Sequence, residues 1–184
     1  LYLRNRFTAV SKKSGYTLGD RVLHHLALDV PWIGRISLEI DQTLFRNKEV
    51  KQVQAPIFIS GLARAGTTIL MRTFYETGKF RSLIYRDMPW VLMPGIWKRL
   101  SQPFHQNKAN KERAHRDGIE VNFDSPEAFE EVFWRTFSAN EYLFEDHLSP
   151  YSPNEEVIHQ FQQFVSQVVL SADQTLQQRY LSKN

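Results

Sequence analysis

Two glycines, an arginine and two threonines in the stretch "SGLARAGTT" could together hold an anion. Gly61 and Gly66 have the Gly-x-x-x-x-Gly spacing of a phosphate loop, and Arg64 lies between them. Glycine lets the backbone turn tightly, so that successive N–H groups point inward as a nest. Thr67 and Thr68 follow directly and add hydroxyl donors. The pattern predicts a loop that grips a phosphate-like group.

The neighbouring residues indicate the elements that position this loop. Residues 56–60 are short and apolar, which is typical of a buried strand, and residues 67–77 fit a helix that ends near Gly78. Residues 81–85 fit a second strand. A strand, a loop with its helix and another strand form a βαβ unit, which implies a parallel sheet. The loop then lies at the positive end of the helix dipole, where anions bind.

The loop departs from the nucleotide-binding pattern at one position. A Walker loop has a lysine after the second glycine, and that lysine reaches the β- and γ-phosphates. Here the residue is Thr67, which is too short to do so, and the cation lies inside the loop as Arg64. Such a loop suits one closely held anionic group, without a second phosphate and magnesium beyond it. No convincing Walker B strand that ends in aspartate is found.

Three further segments are expected to be helical. Residues 18–46 have helical apolar spacing that Pro31 interrupts. The stretch "DSPEAFEEVFWRTF" predicts a helix capped by Ser125. Ser152 and Glu155 fit a capping box for the longest helix. That helix carries one apolar stripe, which predicts core packing: Val157, Phe161, Phe164, Val168, Ala172 and Leu176.

Residues 179–184 fit a third strand, and the three strands define the fold class. We expect an α/β protein with a P-loop-type parallel sheet flanked by helices. Three parallel strands are few for a doubly wound sheet, so the sheet is expected to be incomplete and the chain to be the N-terminal portion of the domain. The predicted division is an N-terminal helical segment over residues 1–54 and the P-loop domain over residues 55–184.

Composition narrows the possible classes of function. Cysteine is absent, which excludes disulfides, thiolate metal sites and cysteine nucleophiles, and the six histidines show no metal-ligand spacing. The net charge of +3 suits an anionic ligand. No nucleic-acid partner and no transmembrane segment are expected, because basic residues do not cluster with stacking aromatics and no apolar run reaches about 18 residues. The basic stretch 98–118 fits either a solvated loop or a flap over an anionic site.

The stretch "PIFISGLARAGTT" resembles the 5′-phosphosulfate-binding loop of the sulfotransferases that use 3′-phosphoadenosine 5′-phosphosulfate (PAPS). It is most similar to the branch that includes the tyrosylprotein sulfotransferases and many bacterial relatives, whose loop reads roughly Gly-x-Pro-Arg-Ser-Gly-Thr-Thr. This chain has Ala63 for the proline and Ala65 for the serine, which removes one hydroxyl contact. The segment "DSPEAFEEVFW" and the strand end "YLSKN" resemble the family in order, so the resemblance covers roughly residues 55–184.

The resemblance implies an enzyme that transfers a sulfuryl group from PAPS to an acceptor hydroxyl without a metal. It implies charge stabilisation by Arg64 and Lys183 and a general base at Asp87. The expected cofactor contacts come from the loop: Gly61, Arg64, Ala65, Gly66, Thr67 and Thr68. Other carboxylates compete for the base role, although a solvated helix face explains most of them: Glu120, Glu127, Glu130 and Glu131. The residues that grip the 3′-phosphate in the family would lie beyond Asn184.

Two other functions remain open. A P-loop nucleotide or small-molecule kinase that uses ATP and magnesium would need a catalytic cation elsewhere, and a non-catalytic module could keep the loop for binding. The acceptor class is open as well. Residues 88–97 are rich in aromatic and apolar groups and fit either an acceptor pocket or core packing. The loop type and the lack of cysteine favour a bacterial, cytoplasmic protein.

Overall fold

A computed structural model of the chain describes residues 30–45, 55–62, 64–101, 111–112, 120–121, 124–171 and 178–183. The helices are α1 (Pro31–Phe45), α2 (Thr67–Glu76), α3 (Pro94–Ser101), α4 (Glu131–Tyr142) and α5 (Glu155–Leu170). The strands are β1 (Ile57–Ile59), β2 (Phe80–Arg81), β3 (Lys111–Glu112), β4 (Glu120–Val121) and β5 (Arg179–Lys183), and a 3₁₀ turn spans Tyr85–Asp87. None of the helices in this part of the chain combines the length and apolar character that a bilayer crossing requires.

Three parallel strands form the main sheet in the order β1-β5-β2. Ile57 pairs with Leu181 on one side of β5, and Phe80 pairs with Arg179 on the other. The β1–α2–β2 unit therefore leaves a gap between its two strands, which β5 fills from the far end of the chain. The expected parallel sheet with flanking helices is confirmed, while β3 and β4 form a separate antiparallel pair.

The central strand β5 is buried on both of its faces. Tyr180, Leu181 and Ser182 are all buried, as expected of a parallel strand covered by helices on either side. Because side chains alternate along a strand, neighbouring residues contact opposite layers. Leu181 packs with Ile59 and with Met71 of α2, whereas Tyr180 belongs to the cluster on the other face.

That second cluster is the larger core and unites α1, α4 and α5 with the sheet. Its buried members are Leu38, Leu83, Val91, Leu92, Phe133, Phe164, Val165, Val168 and Tyr180. The stripe predicted on α5 is confirmed where it is described, because Phe164 and Val168 are buried and Val157 and Phe161 pack against them. Val91 and Leu92 are also buried, so the aromatic-rich stretch 88–97 serves core packing at these positions.

Two predictions of secondary structure were wrong, because the two segments form hydrogen bonds with each other instead. The second strand ends at Arg81 rather than at residue 85, since the Tyr85 N–H donates to the Ser125 carbonyl and Tyr85–Asp87 forms the 3₁₀ turn. The helix expected from Ser125 begins six residues later, at Glu131. The Glu127 N–H donates to the Leu83 carbonyl, and Pro126 forms a bridge with Ile84. Residues around 125–128 therefore run extended beside residues 83–84 instead of forming a helix.

Two helix starts also differ from the sequence patterns. Asn154 caps α5, because its side-chain oxygen accepts a hydrogen bond from the Val157 N–H at 2.9 Å, and Ser152 does not. Pro31 opens α1 instead of interrupting it, as proline often does at a first helical position. The part of the predicted helix before residue 30, and residues 102–110 and 113–119 of the basic stretch, lie outside the described residues.

A buried aspartate joins α1 to α3. The Asp41 carboxylate is fully buried and accepts hydrogen bonds from the backbone N–H groups of Gly95 at 3.1 Å and Ile96 at 2.7 Å, in the first turn of α3. Burial raises the pKa of Asp41 above its ordinary value, although the two N–H groups and Arg99 act in the opposite direction. Asp41 therefore satisfies helix N–H groups that would otherwise have no intrahelical partner.

Replacing Asp41 by alanine should destabilise the protein by about 1–3 kcal/mol, because two buried N–H groups lose their acceptor. Since the raised pKa means that the folded state holds the Asp41 proton more tightly, wild-type stability should fall as pH rises above the ordinary aspartate pKa of about 3.9. The difference in unfolding free energy between wild type and Asp41→Ala should accordingly become smaller as pH rises. Urea unfolding at several pH values measures this difference.

The matched control is Asp146→Ala, since the Asp146 side chain is 86% exposed. This control should change stability by no more than about 0.5 kcal/mol. A gap between wild type and Asp41→Ala that widens as pH rises would contradict the assigned direction.

Candidate functional site

The loop between β1 and α2 turns through two residues of positive φ. The φ angle is 66° at Arg64 and 81° at Gly66, and the Ala65 N–H donates to the Leu62 carbonyl at 3.1 Å. A Cβ atom at Gly61 would lie only 2.9 Å from Cγ2 of Thr67, so the loop passes too close to the helix start for a side chain there. The glycine spacing seen in the sequence thus has a steric cause at both ends of the loop.

The N-terminus of α2 faces outward without a capping side chain. Gly66 is the N-cap residue and makes no side-chain cap hydrogen bond, and the first turn contains no acidic residue. Its first N–H groups have no intrahelical partner, and the helix dipole adds a partial positive charge. Arg64, Ala65 and Gly66 are exposed, whereas Thr67 and Thr68 are half-buried. This end of α2 can therefore accept an anion from solvent.

Lys183, the last residue of β5, contacts the same helix start. Its Nζ donates a hydrogen bond to Oγ1 of Thr68 at 2.9 Å across 115 residues of sequence. The side chain of Lys183 is only 11% exposed, and it leaves the sheet on the α2 side, as does Leu181 two residues earlier. The expectation that parallel strands bring the loop and the strand-end lysine to one edge agrees with this contact.

Glu127 is the acidic partner of Lys183. The Nζ atom of Lys183 lies 3.0 Å from Oε1 of Glu127, whose side chain is 12% exposed. The Ala128 N–H donates to the same oxygen at 3.0 Å, and the Tyr85 hydroxyl donates to Oε2 at 3.1 Å. The result is a hydrogen-bonded chain that runs from Tyr85 through Glu127 and Lys183 to Thr68.

The sequence named Glu127 only as one of several competing carboxylates, because the stretch around it was expected to be a solvated helix. Its role as the partner of Lys183 depends on the extended pairing of residues 125–128, which begins with the isolated bridge between Pro126 and Ile84. The available signal was the proline, which favours extended backbone at the residue before it as well as a helix start.

Arg64 occupies a strained backbone position. Holding the backbone of a non-glycine residue in the left-handed region costs roughly 1–2 kcal/mol relative to the right-handed region. Such positions cluster at binding sites. Arg64 is exposed, so no packing in the described residues explains why an arginine rather than a glycine is found here. Its exposed side chain adds a positive charge to the loop.

The Asp87 side chain is buried, and its carboxylate makes structural hydrogen bonds. Its carboxylate is 6% exposed, accepts the Ile84 N–H at 2.8 Å and binds Arg81 through both oxygens at 3.2 and 3.3 Å. Burial raises the pKa of Asp87, while Arg81 and the Ile84 N–H act in the opposite direction. Among the described residues it bonds neither Thr68 nor Lys183, and its predicted role as a general base stays a prediction.

Of the other carboxylates, Glu130 is built into the core. It is 2% exposed and accepts hydrogen bonds from Nε1 of Trp134 at 2.9 Å and from the hydroxyl of Tyr180 at 3.1 Å. Burial, followed by the charge of Glu130, raises the pKa of Tyr180 well above its ordinary value. This network fixes α4 to β5 and faces away from the loop. Glu131 opens α4, and the side chain of Glu120 lies outside the described residues.

No group of three or more histidine, aspartate or glutamate side chains able to hold a metal ion occurs within the described ranges. Comparison of the chain with protein-family models, with curated proteins and with solved structures gives no match. The assignment of function therefore depends on the loop, Arg64, Lys183 and Glu127 themselves.

Gly66→Ala should weaken anion binding more than it weakens the fold. An alanine at a φ of 81° is strained although space is free around its Cβ, so the loss of stability should be about 1 kcal/mol. Any relaxation of that strain moves the N–H groups at the start of α2. Titration with inorganic pyrophosphate, followed by calorimetry, should show an affinity at least several-fold below that of wild type.

Gly78→Ala is a matched control at the other end of the same helix. Gly78 also has positive φ, at 72°, and free space around the missing Cβ. The two variants should lose similar stability in urea unfolding, and only Gly66→Ala should lose pyrophosphate affinity. Equal affinities in both variants would show that the loop does not hold the anion.

Proposed function

We propose that this protein is a PAPS-dependent sulfotransferase with a P-loop-type nucleotide site, which transfers a sulfuryl group to an acceptor hydroxyl. The observation that carries the proposal is the hydrogen bond between Lys183 and Thr68. It joins the two motifs, the loop and the strand-end lysine, on which the sequence resemblance to this family depends. Neither motif predicts the position of the other, because 115 residues separate Thr68 from Lys183.

The residues at the loop have the chemistry that a phosphosulfate group requires. The uncapped start of α2 offers backbone N–H donors, and the Arg64 guanidinium adds a planar set of donors with a fixed charge. Lys183 has three N–H donors, of which Thr68 and Glu127 accept two among the described residues. The third can reach an oxygen of a group bound at the loop.

PAPS, when bound, supplies an activated sulfuryl group. The task of the protein is then to orient the acceptor and to neutralise the charge that develops on the leaving phosphate oxygen. Arg64 and the helix N–H groups are suited to that oxygen, and Lys183 to the bridging position between donor and acceptor. Loss of one such preorganised donor typically lowers the rate by roughly 10²–10³.

The position of Lys183 also speaks against the alternative, a kinase that uses ATP and magnesium. In a Walker loop the hydroxyl at the position of Thr68 contacts the magnesium ion. Here the Thr68 hydroxyl accepts a hydrogen bond from an ammonium group, so a positive charge of the protein already lies where the metal would bind. This arrangement favours a donor that needs no metal over a nucleoside triphosphate with magnesium.

The first test compares two ligands by thermal stabilisation, which follows from binding to the folded state alone. Adenosine 3′,5′-bisphosphate, the product that PAPS leaves, should raise the melting temperature of the full-length protein, and ATP with magnesium should not. Arg64→Ala should reduce the shift strongly, because it removes a ligand-facing charge. Its own stability should stay within about 0.5 kcal/mol, since the side chain is exposed.

Lys79→Ala is the matched control for charge. Lys79 is exposed and precedes β2, so it lies at the opposite edge of the sheet from the loop. This variant has the same net charge as Arg64→Ala and should keep the wild-type response to the bisphosphate. A shift produced only by ATP with magnesium would replace the sulfotransferase proposal with the kinase.

A further inference from the structure

We infer that Glu127, held in place by Tyr85, is the general base that takes the proton from the acceptor hydroxyl. The inference deepens the proposed sulfotransferase function and rests on it. It moves the base from Asp87, where the sequence resemblance puts it, to the carboxylate that is in contact with Lys183. It also locates the acceptor on the side of Lys183 that faces Glu127.

Glu127 is linked to the start of α2 through one ammonium group, since Lys183 bonds both Glu127 and Thr68. An acceptor hydroxyl aligned with an anion on the loop must approach from beyond Lys183. A carboxylate at this place is within reach of the hydroxyl proton, as a general base must be.

Two competing carboxylates have structural roles elsewhere. Asp87 binds Arg81 through both oxygens and holds the 3₁₀ turn through the Ile84 N–H. Glu130 is held by Trp134 and Tyr180 inside the larger core. Among the described carboxylates that the sequence offered as bases, Glu127 is the one whose side chain contacts Lys183.

The Glu127 carboxylate is also held in orientation from two sides. The Ala128 N–H and Lys183 hold Oε1, and the Tyr85 hydroxyl holds Oε2. The Tyr85 ring packs edge-on against Phe129, with ring centroids 5.4 Å apart and an interplanar angle of 84°. Tyr85 is thus a positioning residue, because it acts on the acceptor only through the carboxylate that it holds.

The proposed step balances without any further reactant. The acceptor hydroxyl proton moves to a Glu127 oxygen as the hydroxyl oxygen forms its bond to sulfur. The bond between sulfur and the 5′-phosphate oxygen breaks, and its electron pair stays on that oxygen, facing Arg64 and the helix start. Lys183 remains charged throughout and stabilises the transferred group between the two oxygens.

Glu127→Gln tests the base role, because it keeps the shape of the side chain and an acceptor for Lys183. The variant should bind adenosine 3′,5′-bisphosphate at least as tightly as wild type, since a negative charge near the anion is removed. With labelled PAPS and unactivated phenol as the acceptor, transfer should fall by roughly 10²–10⁴. The loss should shrink along a series of increasingly acidic phenols, which need less help to lose a proton.

Tyr85→Phe tests the positioning role through the separate effects on kcat and KM. The Tyr85 hydroxyl donates a hydrogen bond to Oε2 of Glu127 at 3.1 Å and is not part of the loop. Tyr85→Phe should therefore lower kcat for transfer and leave the KM for PAPS unchanged, whereas a purely structural role would change kcat and KM together and lower the melting temperature.

Glu131→Gln is the control, since it removes a carboxylate four residues along the same segment and should leave binding and transfer unchanged. Equal loss of binding and transfer in Glu127→Gln, with the same loss for every phenol, would show that Glu127 only holds Lys183, and would overturn the inference alone. A wild-type protein that binds no bisphosphate and transfers no label would overturn the proposed function, and the inference with it.

Discussion

The ammonium group of Lys183 connects three parts of the chain at one point. A cation whose side chain is 11% exposed loses most of its hydration, and the structure compensates it with the Thr68 hydroxyl and the Glu127 carboxylate. Thr68 fixes the strand end to the loop helix, and Glu127 fixes it to the extended stretch that follows β4. The relative positions of the loop between β1 and α2 and of the Glu127 carboxylate therefore depend on one partly buried charge.

Elements with a strong local signal were predictable from sequence. The apolar run before Gly61 is short and bounded by glycine, and the helix that follows the loop and the stripe on α5 have helical periodicity. The strand order was not predictable in this way, because β5 enters between β1 and β2 from the far end of the chain. The misplaced helix start near Ser125 has the same origin, since capping residues also fit an extended segment when a distant strand offers hydrogen bonds.

The site residues also divide into those with a local sequence signal and those placed by distant contacts. Arg64 and the glycines could be named from spacing, because their roles follow from the local turn of one loop. The placement of Lys183 followed from the rule that parallel strands bring their carboxyl ends to one edge. Asp87 and Glu127 differ in their side-chain partners, which are Arg81 for Asp87 and Lys183 for Glu127. Burial and the ion pair with Arg81 separate Asp87 from the loop, and no sequence pattern reports them.

The insertion of β5 between β1 and β2 also sets the order in which the molecule can assemble. The β1 and β2 strands do not pair with each other, so the loop and α2 can form early while the sheet around them cannot. Pairing Ile57 of β1 with Leu181 of β5 closes a long loop and carries an entropy cost, which burial of the central strand helps to offset. On a ribosome, the loop between β1 and α2 is made long before Lys183 emerges. A nascent chain therefore carries this loop without the Lys183 contact until β5 has been synthesised.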